Sequence, residues 1–422
     1  MMRISVCRIA LAISVLSSFT GNAQLPSPNY DESKVGTYTL PALLTTNGGI
    51  PVRSGKEWKQ TRRKEVLQLF KDNMYGQYPG GTKDMHFKIQ QIDSGAVAGT
   101  AIAKQIRIYL QKGEQGPFID LLLYVPINKK KPVPVFAGLN FFGNQSVSPD
   151  EHILISEKYR EFLKFKNKNT PVVRGEQERN WCVKELIQHG YGLATAYYGD
   201  VELDDSTGWK TGVRSVLSKA LQLRPEQWSA MGAWAWELSR ILDYLQTDKD
   251  IAADKVIVIG HSRLGKAALW AGADDERFAA VISNNSGEGG AALARRNYGQ
   301  TLQNITKSFP HWYISKYTTY AANVNALPVD QHMLLALMAP RPLYVASASN
   351  DRWSDPYGEF LAAQSTAPVY QLFHLKGLGT GQMPPPDTSI GNRVRYHIRT
   401  GDHDILLFDW LQYIRFADEL VK

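Results

Sequence analysis

A short run of Val and Ile residues, Lys255–Ile259, leads directly into Gly260, His261 and Ser262, and a helical pattern follows at once. A serine on a sharp strand-to-helix turn is held out from the sheet edge, and glycines beside it avoid collisions between strand and helix. The common form of this turn is Gly-x-Ser-x-Gly, whereas here the second glycine comes one residue late, at Gly265. Ser262 is therefore a candidate nucleophile, and the alternative is a serine that only caps the helix.

Strands and helices alternate along most of the chain. The predicted strands are Val133–Ala137, Gly192–Tyr197, Lys255–Ile259, Ala279–Ser283, Pro342–Ser347 and Val369–Leu375, and the predicted helices are Trp181–His189, Gln227–Leu245, Leu264–Gly272, one around 334–337, and Asp404–Leu420. This alternation predicts an α/β fold with a mostly parallel central sheet and helices on both faces, the three-layer sandwich of the α/β-hydrolases. Alternating apolar residues over Ala103–Leu110 and Phe118–Tyr124 predict antiparallel strands at one edge. Residues 24–422 are interpreted as a single catalytic domain.

Residues 1–23 have the layout of a secretory signal peptide. Arg3 and Arg8 precede a short apolar run, Ile9–Leu16, and small or polar residues follow as far as Ala23. The run is too short to span a membrane, so we expect cleavage and a secreted or periplasmic protein. The alternative is an N-terminal core helix.

Charge and cysteine content narrow the function classes. The formal net charge of +8 comes from scattered basic residues, which is compatible with an acidic polysaccharide partner but carries no nucleic-acid-binding motif. Without the signal peptide Cys182 is the only cysteine, so no internal disulfide is expected, and the histidines do not cluster at metal-ligand spacing. We therefore expect that the protein uses no metal or cofactor and binds neither nucleic acid nor membrane. A monomer is expected as well.

A nucleophilic serine needs a base, and the base needs a carboxylate that orients it. In this fold the chain order is nucleophile, acid, base, with the acid after a late strand and the base in a late loop. Asp351 follows the predicted strand Pro342–Ser347, and His403 precedes the closing helix. The predicted triad is therefore Ser262, Asp351 and His403, with Asp355, Asp402 and Asp404 as alternative acids.

The segment Gly260–Lys266 is more specific than a general serine turn. It reads Gly-His-Ser-Arg-Leu-Gly-Lys and resembles the Gly-x-Ser-Arg-x-Gly-Lys turn of the glucuronoyl esterases, carbohydrate esterase family 15. The likeness includes the segments 283–290, 350–356 and 401–404, and it spans the chain from roughly residue 132 to the C-terminus. Members of this family cleave the ester that joins a 4-O-methyl-glucuronic acid branch of xylan to a lignin alcohol.

The resemblance implies a role for each matching residue. Ser262 is the nucleophile and His403 the base. Arg263 helps to hold the oxyanion, Lys266 contacts uronate hydroxyls, and Trp353 lines the sugar pocket.

One position departs from the family pattern. Fungal members place the triad glutamate where this chain has Asn285. An amide does not stabilise a charged imidazole as a carboxylate does, so the acid is expected to be Asp351, the position that some bacterial members use. Glu288, three residues from Asn285, is a minor alternative, as is Asp402.

The chemistry of an esterified uronate agrees with Arg263. The ester is neutral, so the guanidinium would act on the negative oxygen of the tetrahedral intermediate rather than on the bound substrate. The alternative is that Arg263 and Lys266 are ordinary solvated residues of the first helical turn. Phe141 and Phe142 could form an aromatic platform for the sugar or the alcohol with Trp353, or they could belong to the core.

Three functions are compatible with these residues. The first is hydrolysis of glucuronoyl esters in xylan or lignin–carbohydrate material through an acyl-enzyme. The second is a carbohydrate acetyl esterase with the same machinery. The third is a glycan-binding protein on an inactive hydrolase fold, which the complete Ser, Asp and His order disfavours.

Overall fold

The computed structural model describes residues 27–166, 171–379 and 381–422. The predicted signal peptide, 1–23, lies outside the described residues. Among the described helices, none combines the length and apolar character needed to cross a membrane.

Within the described residues ten strands form one sheet. They are β1 (His86–Gly95), β2 (Ala101–Tyr109), β3 (Phe118–Pro126), β4 (Val133–Asn140), β5 (Gly192–Tyr197), β6 (Ile251–His261), β7 (Ala280–Asn284), β8 (Leu343–Ala348), β9 (Thr388–Gly391) and β10 (Val394–Arg399). Their order across the sheet is β1-β2-β3-β5-β4-β6-β7-β8-β10-β9. The six strands from β5 to β10 in this order are parallel, whereas β1, β2, β3 and β9 pair antiparallel at the two edges. The predicted mostly parallel sheet with an antiparallel edge is confirmed.

Helices connect the parallel strands. Those of five or more residues are α1 (Arg63–Phe70), α2 (Glu157–Phe165), α3 (Val183–Gln188), α4 (Ala230–Leu245), α5 (Arg263–Asp274), α6 (Leu302–Ser308), α7 (Gln331–Ala336), α8 (Pro356–Gln364), α9 (Ala367–Gln371) and α10 (Leu407–Leu420). Two π-helical turns, Trp58–Arg62 and Lys71–Tyr75, flank α1. Single helical turns cover Gly55–Glu57, Ala96–Gly99, Glu178–Trp181, Val213–Val216, Ser218–Leu221 and Ser315–Thr318.

The two faces of the sheet carry separate apolar cores. Along β6, Val256 and Val258 pack into the core that contains α4 and α5. Ile257 and Ile259 pack into the core that contains α3 and α10. Because successive side chains of a strand point to opposite faces, a continuous apolar run is what a strand covered on both faces requires. The result is three layers, helix, sheet and helix, as predicted.

Three predicted elements differ from the structure. Val369–Leu375, predicted as a strand, begins in the short helix α9 and continues as a turn, and the strand next to β8 is instead β10. A short apolar run does not distinguish a buried strand from a buried helix, and Pro368 fits the first turn of a helix. The helix predicted over Trp181–His189 is interrupted at Cys182, which has φ 45° and a buried thiol. The closing helix begins at Leu407 rather than at Asp404.

Candidate active site

Ser262 occupies the turn between β6 and α5. Its backbone has φ 57° and ψ −130°, a conformation that L-residues rarely adopt. Strain of this kind persists where the surrounding structure holds it, and it is a feature of a nucleophile on a strand-to-helix turn. The N–H of Ser262 donates to the carbonyl of Asn284 on the neighbouring strand at 2.9 Å, which ties the turn to the sheet.

The spacing of the two glycines has a steric cause. A Cβ atom on Gly260 would overlap the carbonyl oxygen of Leu264. A Cβ atom on Gly265 would lie 3.0 Å from the carbonyl oxygen of Gly260 and 3.2 Å from Oγ of Ser283. The second glycine is therefore needed where α5 passes β6 and β7, one residue later than in the common motif.

The predicted acid and base meet at the carboxyl ends of adjacent strands. Asp351 follows β8, His403 follows β10, and these two strands pair in parallel. Nδ1 of His403 lies 2.6 Å from Oδ2 of Asp351. Burial alone would raise the pKa of Asp351, but the hydrogen bond and charge of His403, with Ser354 and Asn285, outweigh it and lower the pKa. Asp351 is thus an ionised carboxylate that orients the imidazole, and its position after β8 is as predicted.

The alternative acids make other contacts: Asp355 pairs with Arg296, and Asp404 pairs with Arg179 and Asn180. Oε1 of Glu288 accepts a hydrogen bond from Tyr317 at 2.8 Å, and burial raises the pKa of Glu288 to about 8. Oδ1 of Asp402 accepts from the side-chain amide of Asn350 at 3.0 Å. The hydrogen-bond geometry therefore favours Asp351 as the partner of His403.

Asn285 lies directly beside this acid. Its side-chain amide donates to Oδ2 of Asp351 at 2.9 Å. Asn285, where the resemblance places the fungal glutamate, therefore contacts the carboxylate that is predicted to be the acid.

A second imidazole packs against the base. The ring centroids of His261 and His403 are 4.6 Å apart, and Nδ1 of His261 lies 2.6 Å from Oδ1 of Asn284. Burial, together with the nearby His403, lowers the pKa of His261 to about 3, so this ring is neutral at ordinary pH. His261 thus limits the positions open to His403 without adding charge. Its place between Gly260 and Ser262 was the only sequence signal for it.

A cavity of about 240 Å³ opens beside the turn, and Ser262, Arg263 and His403 all line it. Phe141 and Phe142 line the same cavity, in the loop after β4, which agrees with the predicted aromatic platform. The other lining residues are Leu139, Gln177, Asn180, Trp181, Ile259, Gly260, His261, Asp404, Ile405 and Trp410. No motif marked Gln177, Asn180 and Trp181 as site residues; Trp181 stood out only as the start of a predicted helix.

Arg263 begins helix α5 and faces the cavity with its side chain 30% exposed. Its guanidinium lies 5.7 Å from the ring centre of Phe141 and 5.1 Å from that of Trp312. Nη1 donates to the carboxylate of Asp204. The guanidinium is therefore held beside Ser262 in the same cavity, where the predicted oxyanion would be within its reach. The sequence did not indicate Asp204.

Lys266 lies deeper than the predicted contact with uronate hydroxyls requires. The residue is 4% exposed, and its Nζ donates to the carbonyl oxygens of Ser286 and, at 2.6 Å, Glu288. It is not among the cavity-lining residues, and burial lowers its pKa to about 8. In this conformation Lys266 supports the segment that carries Asn285; its contact with substrate stays a prediction.

Trp353 is likewise outside the cavity. It lies in the helical turn Arg352–Ser354, two residues after Asp351, and is 40% exposed. Exposure of this flat ring beside the triad leaves it available to a sugar, but the structure does not place it against the cavity walls.

Among the described residues one group has the composition of metal ligands. Ligand atoms of Asp93, Asp150 and His152 lie within 4.8 Å of one another. Nδ1 of His152 already bonds to Asp150 at 2.9 Å, and none of the three lines the cavity of Ser262.

Similar proteins share both the sequence and the fold. Residues 220–374, which include Ser262 and Asp351, match the family model described as glucuronyl esterase of fungi. Over 396 residues the chain is 45% identical to Carbohydrate esterase MZ0003 of an unknown prokaryotic organism, which covers 92% of this chain and 91% of that protein. Over 343 residues it is 35% identical to the 4-O-methyl-glucuronoyl methylesterase of Schizophyllum commune, with 79% and 73% of the two chains covered.

Solved structures agree with these matches. A glucuronoyl esterase from Solibacter usitatus superimposes with a TM-score of 0.87 at 44% identity, over 92% of this chain and 100% of that one. A structure described as a promiscuous family 15 esterase from a marine bacterial metagenome gives a TM-score of 0.85 at 43% identity, over 93% and 100%. The similarity confirms the predicted α/β-hydrolase fold.

Proposed function

This chain belongs to the glucuronoyl esterases of carbohydrate esterase family 15, and we propose that it hydrolyses esters between the 4-O-methyl-glucuronic acid branches of xylan and lignin alcohols. The protein is a carboxylic ester hydrolase. The single observation that carries the proposal is the cavity that Ser262, Arg263 and His403 share, with His403 held by Asp351 at 2.6 Å.

The first half of the reaction forms an acyl-enzyme. Nε2 of His403 takes the proton of Ser262 Oγ while that oxygen attacks the ester carbonyl carbon. Asp351 accepts from Nδ1–H of His403, fixes the tautomer and stabilises the imidazolium. His403 then returns the proton to the alcohol oxygen as the ester bond breaks, which leaves the uronoyl group on Ser262.

Water completes the cycle with His403 as base again. Both tetrahedral intermediates carry a negative oxygen, and donors that are fixed beforehand lower both barriers. Arg263 supplies a charged donor, and the N–H groups of the first turn of α5 have no partner within the helix. In this fold a further N–H comes from the loop after the strand that adjoins the nucleophile strand, which here carries Phe141.

The N-terminal sequence agrees with a substrate outside the cell. Xylan and lignin are outside the cell, so we propose that residues 1–23 direct export before the enzyme meets its polymer substrate.

Kinetics on two ester classes test the proposal. We expect the purified protein to release benzyl alcohol from a benzyl glucuronate ester and to prefer this ester to acetylated xylan. Ser262→Ala should abolish release, and a serine-directed phosphonate should label Ser262, as peptide mass spectrometry would show. Release of acetate without cleavage of uronate esters would favour the acetyl esterase instead, and failure to label Ser262 would favour a binding protein.

A further inference from the structure

Asp204 is a buried carboxylate with several donors that the proposed mechanism does not use. Its side chain is 6% exposed. Oδ1 accepts from Nε2 of His311 at 2.8 Å and from Nε1 of Trp312 at 2.7 Å. Oδ2 accepts from Nη1 of Arg263 and from the hydroxyl of Tyr198 at 3.3 Å.

The two oxygens of this carboxylate have separate tasks. The loop after α6 holds Oδ1 through the His311 and Trp312 side chains, which fixes the plane of the carboxylate. Oδ2 is then directed at Arg263. Burial would raise the pKa of Asp204, but His311, Arg263 and Trp312 lower it overall, so the group is ionised.

Arg263 keeps a nitrogen without a partner. Nη1 donates to Asp204, whereas Nε is buried and has no hydrogen-bond partner among the described residues. Phe141 and Trp312 pack against the guanidinium and restrict its rotation. A long arginine side chain loses rotamer freedom when it is ordered, so a donor that is already clamped acts without that cost during the reaction.

Negative charge develops beside the Arg263 guanidinium at two points of the catalytic cycle. The tetrahedral oxygen is negative in the transition state, and the uronate product carries a full carboxylate. A free arginine beside that carboxylate would bind it tightly, because charge-assisted arginine–carboxylate pairs are strong. An ionised Asp204 in contact with the same guanidinium opposes this attraction.

We propose that Asp204 is the positioning residue of Arg263: it fixes the guanidinium for the oxyanion and weakens binding of the uronate product. This inference rests on the proposed ester hydrolysis. Asp204 does not touch the substrate, and it acts entirely through Arg263.

A double-mutant cycle separates this role from plain structural support. The variants are Asp204→Asn, Arg263→Met and the two combined, assayed for kcat, KM and inhibition by free glucuronate. We expect Asp204→Asn to lower kcat about tenfold or more, up to the hundred- to thousandfold loss typical of removing one oxyanion donor, with KM changed by less than roughly threefold. In the Arg263→Met background Asp204→Asn should change kcat by less than about twofold, because interacting residues are non-additive.

Product inhibition is the readout that a structural role would not move. Asp204→Asn should bind glucuronate about tenfold more tightly than the wild type. The double variant with Arg263→Met should not show this tighter binding of glucuronate. The matched control is Asp205→Asn, which removes the neighbouring carboxylate, whose partner is Lys166 on the surface. This control should keep wild-type kcat and wild-type product inhibition.

A second variant keeps the inference testable if Asp204→Asn does not fold. Trp312→Phe removes one donor to Oδ1 and keeps an aromatic ring near Arg263, so kcat should fall several-fold with the native melting temperature kept within a few degrees. Equal kcat losses for Asp204→Asn with and without Arg263, or unchanged product inhibition, would overturn the inference while the wild type still cleaves uronate esters. A wild type that leaves uronate esters intact would overturn the proposed function instead.

Discussion

The side-chain amide of Asn285 donates to Oδ2 of Asp351 at 2.9 Å, and that same oxygen is 2.6 Å from Nδ1 of His403. Asn285 follows β7 and Asp351 follows β8, two strands that pair in parallel. Side chains at these two sequence positions therefore meet at one carboxylate oxygen, which also faces Nδ1 of His403. The amide at 285 is thus one hydrogen bond away from the imidazole's partner, so we expect an acid at 285 to come within reach of His403.

Asp351→Asn should lower kcat roughly a thousand- to ten-thousandfold, because an amide favours the wrong tautomer of His403. The measurement is steady-state cleavage of benzyl glucuronate. Asp402→Asn, in the loop of His403, and Glu288→Gln are the matched controls, and both should stay within about fivefold of the wild type, since neither carboxylate bonds to His403. A large loss of kcat in either control, with a small loss in Asp351→Asn, would show that the carboxylate changed in that control is the acid instead.

Moving the acid back to position 285 should restore part of this activity. In Asp351→Asn, the further change Asn285→Glu places a carboxylate in the position of the amide that now contacts residue 351. We expect kcat to recover at least about tenfold over Asp351→Asn alone, because the imidazole again has an anionic partner. Recovery should vanish at a pH below the pKa of the new glutamate. No recovery in a folded double variant would show that the two positions are not equivalent.

Lys266→Met should destabilise the protein by about 2 kcal/mol, because the carbonyls of Ser286 and Glu288 lose a charged donor inside the core. Urea unfolding measures this loss, and Lys64→Met, at an exposed position, is the control that should be neutral. A variant with wild-type stability but a raised KM for uronate esters would instead show that Lys266 reaches the sugar.

Glu359→Gln should change the pH dependence of stability. Burial raises the pKa of Glu359 from 4.5 to about 8, so the folded protein holds this proton while the unfolded chain has lost it. Stability from this group is present below pH 4.5 and is lost as the pH rises to about 8.

The slope is measurable by urea unfolding at pH 5, 6.5 and 8. Between pH 5 and 8 the free energy of unfolding of the wild type should fall by about 1.4 kcal/mol per pH unit more than that of Glu359→Gln. This slope is the effect of one proton. Glu151→Gln, at an exposed position, should follow the wild type. Parallel curves for the wild type and Glu359→Gln would show that Glu359 is ionised in the folded protein.

Local patterns in the sequence were sufficient to predict much of the fold and of the candidate site. The apolar run before Ser262 predicted a strand covered on both faces, and the glycines around Ser262 predicted a tight turn, because both constraints act between neighbours in the chain. The order of Ser262, Asp351 and His403 followed from the loops that end successive strands. The run Val369–Leu375 shows the limit, since seven apolar and polar residues satisfy either a strand or a helix until packing selects one.

Tertiary structure alone decided the contacts between distant segments. Asp204 lies 59 residues from Arg263, and Trp312 lies 108 residues from Asp204, so neither spacing nor periodicity relates them. The same holds for the burial of Lys266, whereas Asp351 was predicted from the sequence and its contact with His403 agrees with that prediction. The sequence by itself determined the nucleophile turn and the layers of the fold, because those depend on sterics and side-chain alternation along a few residues. The charged residues around the Ser262 turn were decided by the order of strands in the sheet, because the strand order determines which loops meet at the edge of the sheet.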